Sequence, residues 1–327
     1  MRIWGLRLRM FIVVALMFAL FYALIAALMY LANIKLPIVY VVIATSIIGL
    51  QYVIGPKLVD LIMKVRYVKP HENPRLYGIV SRVASKAGIS MPRVGVSDIS
   101  IPNAFAYGRT IRDARVCVTQ PLLSILDDSE LEAVIGHEIA HIKHRDMLIM
   151  TALSVIPLIC YYIYLSTLFS SYSNRDRGAV ALVVGIAALV MYFVTELIIL
   201  YLSRIREYYA DARSVELIGQ PDAMASALYK LARYNVMRKE RIGEEEAKKL
   251  EFIKAFLAVK PSYSVSREIL VLMDADVNGD GKIDSYELLQ FKEKIKGVLG
   301  LRSRIAEAFS THPNMLKRIA RLADYIS

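Results

Sequence analysis

The chain has 327 residues, a formal net charge of +11 and a hydrophobic share of 56%, which is too apolar for an ordinary soluble domain of this length. Part of it is therefore expected in lipid. A basic excess suits nucleic acid or a membrane surface, but no basic stripe interleaved with aromatics is present, which argues against nucleic acid.

Four stretches reach the roughly 20 residues that a helix needs to cross a hydrocarbon core: Met10 to Ala32, Leu36 to Pro56, Met147 to Phe169 and Ala179 to Leu202. Three carry no charge and the fourth carries Glu196. A cleaved signal peptide does not account for the first, because its apolar run is about twice a typical h-region and another span follows almost at once. Arg2, Arg7, Arg9, Lys57, Lys64, Arg66, Lys69, Lys143, Arg145, Arg204, Arg206 and Arg213 flank the spans on one side, against Lys35, Arg175 and Arg177 on the other. This asymmetry predicts a multi-pass protein of the cytoplasmic membrane with both termini and both large polar segments in the cytoplasm. Basic residues at a lipid surface attract anionic headgroups, which explains the net charge. Cys117 and Cys160 fall in different segments, so both are expected as buried thiols without a disulfide.

The four spans form two hairpins, residues 1–56 and 147–202. In the polar segment 57–146, the runs VGV (94–96), NAFAYG (103–108) and RVCVT (115–119) are separated by Pro, Gly and Asp and predict a small sheet. A helix follows, with Ser129 and Glu132 spaced as a capping box. At about 100° per residue, Leu131, Ile135, Ile139 and Ile142 share one face, while His137, His141 and His144 fall roughly opposite.

Histidines four apart stack about 6 Å from each other and can reach one ion, and Glu138 between His137 and His141 completes H-E-x-x-H, in which the carboxylate acts on a metal-bound water. A catalytic zinc takes a third protein ligand. His144 returns to the face of His137 but lies about 10.5 Å along the axis, with no intervening glycine to turn the chain, so it reads as a bystander at the helix end. Glu207 in REYYADARS is the better candidate, with Asp211 one turn on to orient a ligand or a cation. The inserted hairpin accounts for the gap between His141 and Glu207. If the fourth span runs unbroken into residues 203–235, Glu196 shares a face with Glu207 and lines a polar cleft below the zinc.

Residues 236–305 form a charged insert. Its start (RKERIGEEEAKK) reads as a solvated helix or linker. Beyond it, DVNGDGKIDSYE (276–287) matches a 12-residue EF-hand loop. Asp276, Asn278 and Asp280 stand at positions 1, 3 and 5, Gly281 at the turn, Lys282 as a main-chain ligand, Asp284 at position 9 and Glu287 at position 12. Ile269, Leu272 and Met273 lead in, and Leu288 and Phe291 lead out. Calcium is the expected ion; a polar turn between two helices is the alternative.

PNAFAYG (102–108), HEIAHIKHRD (137–146), EYYAD (207–211) and THPNMLKRI (311–319), in this order and with the four spans, resemble the HtpX family of membrane-integral zinc metalloproteases and, more distantly, the CAAX prenyl proteases. The resemblance covers most of the chain apart from roughly 236–305. It implies zinc on His137, His141 and Glu207, Glu138 as general base, and His312 facing the reacting carbonyl. It further implies Arg318 bracing the site near Asp211, and Asn103, Ala104, Phe105 and Ala106 as a strand that pairs with substrate backbone.

The expected fold is thus a mainly α membrane protein: four transmembrane helices, a cytoplasmic α+β zincin-type metalloprotease domain with a small sheet, completed by residues 306–327, and an inserted EF-hand-like helix-loop-helix. The expected function is zinc-dependent endopeptidase action on misfolded or damaged membrane proteins. A CAAX-type prenyl-peptide protease is the second reading, opposed by a span count too small for the chamber that a lipidated tail needs. A non-catalytic membrane calcium sensor with a structural zinc is the third. Glu138 separates them, since a structural zinc site has no need of it.

Overall fold

The computed structural model describes residues 3–32, 37–171, 178–239, 271–295, 297–298 and 300–326. These fall into two compact units, one from Arg2–Gly55 and Leu148–Ile205, the other from Pro56–Met147 and Arg206–Ser327. Lys35, Arg175, Arg177, Ile269 and most of the charged start of the insert lie outside the described residues.

The first unit is helical: α1 (Ile3–Ala32), α2 (Pro37–Ile62) as far as Gly55, α6 (Asp146–Leu153) from Leu148 onward, α7 (Val155–Ser171) and the first part of α8 (Gly178–Ile218). Small apolar clusters hold it together, one of Ala44, Ile159, Cys160, Ile163, Val184 and Ala188, another of Met17, Leu153, Ile156 and Leu202. Large apolar side chains such as Phe11, Leu50 and Phe193 point outward, as a lipid-facing surface requires. Among the described residues, Val41–Ile62, Asp146–Leu168 and Ala181–Ile218 are long and apolar enough to cross a membrane.

Three boundaries differ from the sequence expectation. Helix α2 continues past Pro56 to Ile62. The third span is two helices with a turn at Ser154, because Pro157 has no N–H to offer the Leu153 carbonyl one turn earlier. The fourth span does not end at Leu202, since α8 runs unbroken to Ile218, with Glu196 and Glu207 on the same helix. Gly219, at φ +80°, then turns the chain into α9 (Pro221–Lys239).

The second unit contains a four-stranded mixed sheet in the order β1-β2-β4-β3. Strands β2 (Arg93–Ser97), β3 (Ala104–Tyr107) and β4 (Arg115–Thr119) are the three expected runs. The added β1 (Val65–Tyr67) pairs antiparallel with β2. The central pair β2 and β4 is parallel, with Val94 opposite Val116 and Val96 opposite Val118, and its buried β-branched residues suit strands covered on both faces. Strand β3 pairs antiparallel with β4 and lies at the sheet's edge.

Helices α3 (Pro74–Ala87) and α5 (Asp128–Lys143) pack with this sheet, connected after β4 by the short α4 (Gln120–Ile125). The lead-in turn at Val271–Met273, α10 (Ser285–Ile295), α11 (Leu301–Ala308) and α12 (Met315–Leu322) complete the unit. Leu272, Ile283, Leu288, Phe291 and Ile295 of the insert belong to the same apolar core as Leu131, Ile135 and Ile139 of α5. Cys117 and Cys160 are both buried and free.

Candidate metal centre

The start of α5 is two residues earlier than the Ser129–Glu132 pattern predicts. Asp127 is the N-cap: its Oδ1 accepts the Glu130 N–H at 2.9 Å while its own N–H donates to Glu130 Oε2 at 2.9 Å. DDSELE contains the D-x-x-E and S-x-x-E spacings side by side, and the ionised carboxylate is the stronger acceptor for the helix N-terminus. Ser129 instead donates to Asp127 at 2.6 Å, and Glu132 pairs with Arg82 and Lys86 of α3 at 3.2 and 3.1 Å.

From this cap the histidine face forms as the periodicity predicts. The Nε2 atoms of His137 and His141 lie 3.1 Å apart. Across from them, on α8, Glu207 Oε1 is 3.5 Å from His141 Nε2 and Oε2 is 3.8 Å from His137 Nε2. The helices approach closely at Gly136, where a Cβ would lie 2.7 Å from Ser214 Oγ, and Ser214 donates to the Ala133 carbonyl at 2.6 Å. A larger residue at 136 would push away the helix that carries Glu207.

His137, His141 and Glu207 offer ligand atoms all within 4.8 Å of one another, and among the described residues no other three His, Cys, Asp or Glu side chains do so. The two rings present Nε2 inward because each Nδ1 faces a carboxylate. His137 Nδ1 lies 2.8 Å from Asp211 Oδ1, and His141 Nδ1 lies 2.5 Å from Asp146 Oδ2. Such partners set ring orientation and tautomer in metal sites, so the donor set fits a zinc ion, with two imidazoles and one carboxylate. Both carboxylates are held in turn. Arg318 Nε and Nη2 donate to Asp211 at 2.8 and 2.7 Å, Arg318 Nη1 lies 3.1 Å from Glu207 Oε2, and Arg206 is 3.0 Å from Asp146.

Asp146 was not foreseen as part of the site. It follows the end of α5, and its side chain returns to His141 because Arg145 adopts a left-handed φ of 54°. A non-glycine residue in this region is strained, and strain of this kind collects at functional sites. The signal in the sequence was only an acidic residue five positions after the second histidine. His144 stays outside the donor group as expected, capping the helix with its ring against Tyr209 at a centroid distance of 4.6 Å.

Burial alone would lower the His141 pKa, but Asp146 and Glu207 together push it up to about 10. Taking up a divalent cation there therefore displaces a proton, and affinity falls as pH falls. Burial pushes the Glu138 carboxyl above the ordinary range, toward the neutral pH at which a general base works best. The Ala106 backbone N–H of edge strand β3 bonds to Glu138, so the outer edge of the sheet, unpaired by any strand among the described residues, borders that carboxylate. His312 is no remote helix cap: its Nδ1 is 3.1 Å from Glu207 Oε2, and its Nε2 is buried without a partner.

The loop 276–287 is closed by its own hydrogen bonds. Gly281 N–H donates to Asp276 at 3.0 Å, Asp280 N–H to Asn278 at 2.9 Å and Lys282 N–H to Asp280 at 2.7 Å. The Glu287 carboxylate accepts from Val277, Asn278 and Asp284 N–H, and Asp284 caps α10 by accepting the Glu287 N–H at 2.8 Å. Gly279 and Gly281 take the positive φ values of 74° and 83° that this tight path demands.

A helix bearing two histidines and a glutamate, a glutamate from a second helix and a bordering edge strand define a metallopeptidase centre. The profile of peptidase family M48 matches residues 70–326, and the chain belongs to that family. It is 52% identical over 228 residues to the Protease HtpX homolog of Methanothermobacter thermautotrophicus, covering 70% of this chain and 86% of that protein. It is 32% identical over 323 residues to the Protease HtpX homolog of Moorella thermoacetica, covering 97% and 93%. Among solved structures, Ste24p of S. mikatae matches with a TM-score of 0.49 at 18% identity, covering 71% of this chain and 60% of that one. The chain is a multi-pass, membrane-bound zinc metalloprotease.

Changing Asp146 tests the support of His141. Asp146→Asn is expected to weaken zinc affinity about 10- to 100-fold, the usual effect of losing such a partner, measured by competition with a chromogenic chelator. Wild-type affinity in that variant would show that Asp146 does not orient the ligand.

Proposed function

We propose that His137, His141 and Glu207 hold the zinc ion of an endopeptidase that degrades misfolded or damaged membrane proteins from the cytoplasmic face of the membrane. The carrying observation is the convergence of these three donors beside Glu138 and the free edge of β3. When bound by these residues, zinc would supply Lewis-acid polarisation of the scissile carbonyl and activation of a water. Glu138 takes the proton and delivers it to the leaving amine. His312 offers a donor to the developing oxyanion, and Arg318 keeps Asp211 against His137. Substrate backbone adds to the strand Asn103, Ala104, Phe105 and Ala106, which gives affinity without demanding one sequence.

Helix α1 serves as the fourth span, and the excess of basic residues on one side keeps both termini and the metal centre cytoplasmic. Glu196 lies about 16 Å before Glu207 along the continuous α8, and it is an intramembrane carboxylate of the kind that marks a functional position. Asp276, Asn278, Asp280, the Lys282 carbonyl, Asp284 and Glu287 bind one calcium ion.

The test is degradation of an unfolded membrane protein by the zinc-loaded chain in lipid vesicles. Activity is expected, and a zinc chelator should end it. A chain that keeps its zinc yet degrades neither this nor a soluble unfolded substrate would favour the calcium sensor, and cleavage confined to prenylated peptides would favour the CAAX-type reading.

A further inference from the structure

The calcium loop sits against the start of the zinc-binding helix, through contacts made by the part of the loop that an ion would fix. The Asp276 side chain is 3% exposed. Its Oδ2 accepts from Gly281 N–H at 3.0 Å and from the Tyr229 hydroxyl of α9 at 3.2 Å and lies 3.9 Å from Arg233 Nη1, but its Oδ1 is buried with no hydrogen-bond partner. A buried carboxylate oxygen left unsatisfied is costly, and a cation at the loop centre removes that cost. Glu287, 3% exposed, brings a second buried carboxylate. Its Oε1 accepts from Val277 and Asn278 N–H, while its Oε2 accepts only from Asp284 N–H and so retains a lone pair for a metal. An all-oxygen set this rich in carboxylates selects a hard divalent ion, and calcium, bound at about 2.3–2.6 Å per oxygen, tolerates donors spread wider than zinc does.

Two links run from the loop to α5. The Lys282 ammonium lies 2.8 Å from Asp127 Oδ2, so its main-chain carbonyl would remain available to an ion, while Asp127 Oδ1 caps α5. Next to it, Ile283 N–H donates to Ser226 of α9 at 2.8 Å, and Ser226 donates back to the Ile283 carbonyl at 3.1 Å. One turn along α9, Lys230 donates to Glu130, the third residue of α5, at 2.8 Å. Loop positions 7 and 8 thus reach the N-cap and first turn of the helix that carries His137, Glu138 and His141.

We propose that calcium in the loop 276–287 activates the protease by fixing Lys282 and Ile283 and, through Asp127 and Ser226–Lys230–Glu130, the first turn of the zinc-binding helix. This rests on the reading that the loop binds calcium, so the test separates the two. Terbium replaces calcium and is sensitised by a nearby tyrosine, and Tyr229 is placed for this. Full-length protein, zinc-loaded and in detergent, should show tyrosine-sensitised terbium luminescence that calcium abolishes and that Asp276→Ala with Glu287→Ala lacks. Peptidase activity should rise at least about threefold with calcium in the wild type and not in the double variant. Lys282→Met keeps the main-chain ligand, so it should keep the luminescence while losing at least half of the stimulation. No luminescence from wild type overturns the calcium site itself. Luminescence with calcium-independent activity leaves the site standing and overturns the activation. Full stimulation of Lys282→Met overturns the route through Asp127.

Discussion

Glu138→Gln is expected to lower kcat/KM on an unfolded substrate by about 10²- to 10⁴-fold, the usual contribution of a positioned general base, while zinc content stays at the wild-type level. The amide has the shape of the carboxylate but cannot take a proton, and Glu138 is not one of the three converging donors. Glu138 accepts the Ala106 N–H, and Gln can still accept that bond through its carbonyl, so the β3 edge is expected to stay in place. Equal activity in variant and wild type would sink the general-base role. Loss of zinc together with activity would instead mean that Glu138 helps build the site. The contrasting variant Glu207→Gln should lose zinc affinity first, because it weakens a ligand.

Much of the centre follows from helical periodicity. His137 and His141 lie one turn apart on a helix whose opposite face is apolar. Glu207 and Asp211 lie one turn apart on a helix that continues from a membrane span. Both relations are local, so the sequence carries them. The supports of these ligands were harder to see, for different reasons. Asp146 reaches His141 only through the left-handed turn at Arg145, a conformation that nothing in the residue type announces. The Asp127 cap lost to Ser129 in the sequence because both spacings satisfy the same rule, and only the relative strength of the two acceptors decides between them. Strand β1 is three residues long, too short to display an alternation. The insert looked like a module apart, since its charged start reads as solvent-exposed. Its Leu272, Leu288 and Phe291 were legible as flanking apolar residues, but their place in the core of the zinc-binding unit is a tertiary fact.

The second large effect is expected at Arg318, 8% exposed, whose guanidinium forks onto Asp211 at 2.8 and 2.7 Å and lies 3.1 Å from Glu207. Arg318→Met keeps much of the side-chain volume and removes the charge, leaving Asp211 and Glu207 as two buried carboxylates with only histidines opposite them. Breaking a buried pair in this way costs about 3–5 kcal/mol. For a unit of this size that lowers the melting temperature on the order of 10 °C, measured by differential scanning fluorimetry on metal-free protein. Arg318→Lys should fall between the two, because an ammonium restores the charge without the planar fork. Asp211→Asn combined with Arg318→Met decides the cause. If the loss comes from an unpaired buried charge, the double variant recovers part of it, since no orphaned carboxylate remains at 211. If the double variant is less stable than Arg318→Met, the arginine acts through packing and the electrostatic account is wrong. Zinc should also stabilise Arg318→Met by more than it stabilises the wild type, because a cation bound between His137, His141 and Glu207 supplies to Glu207 the positive charge that the missing guanidinium no longer provides.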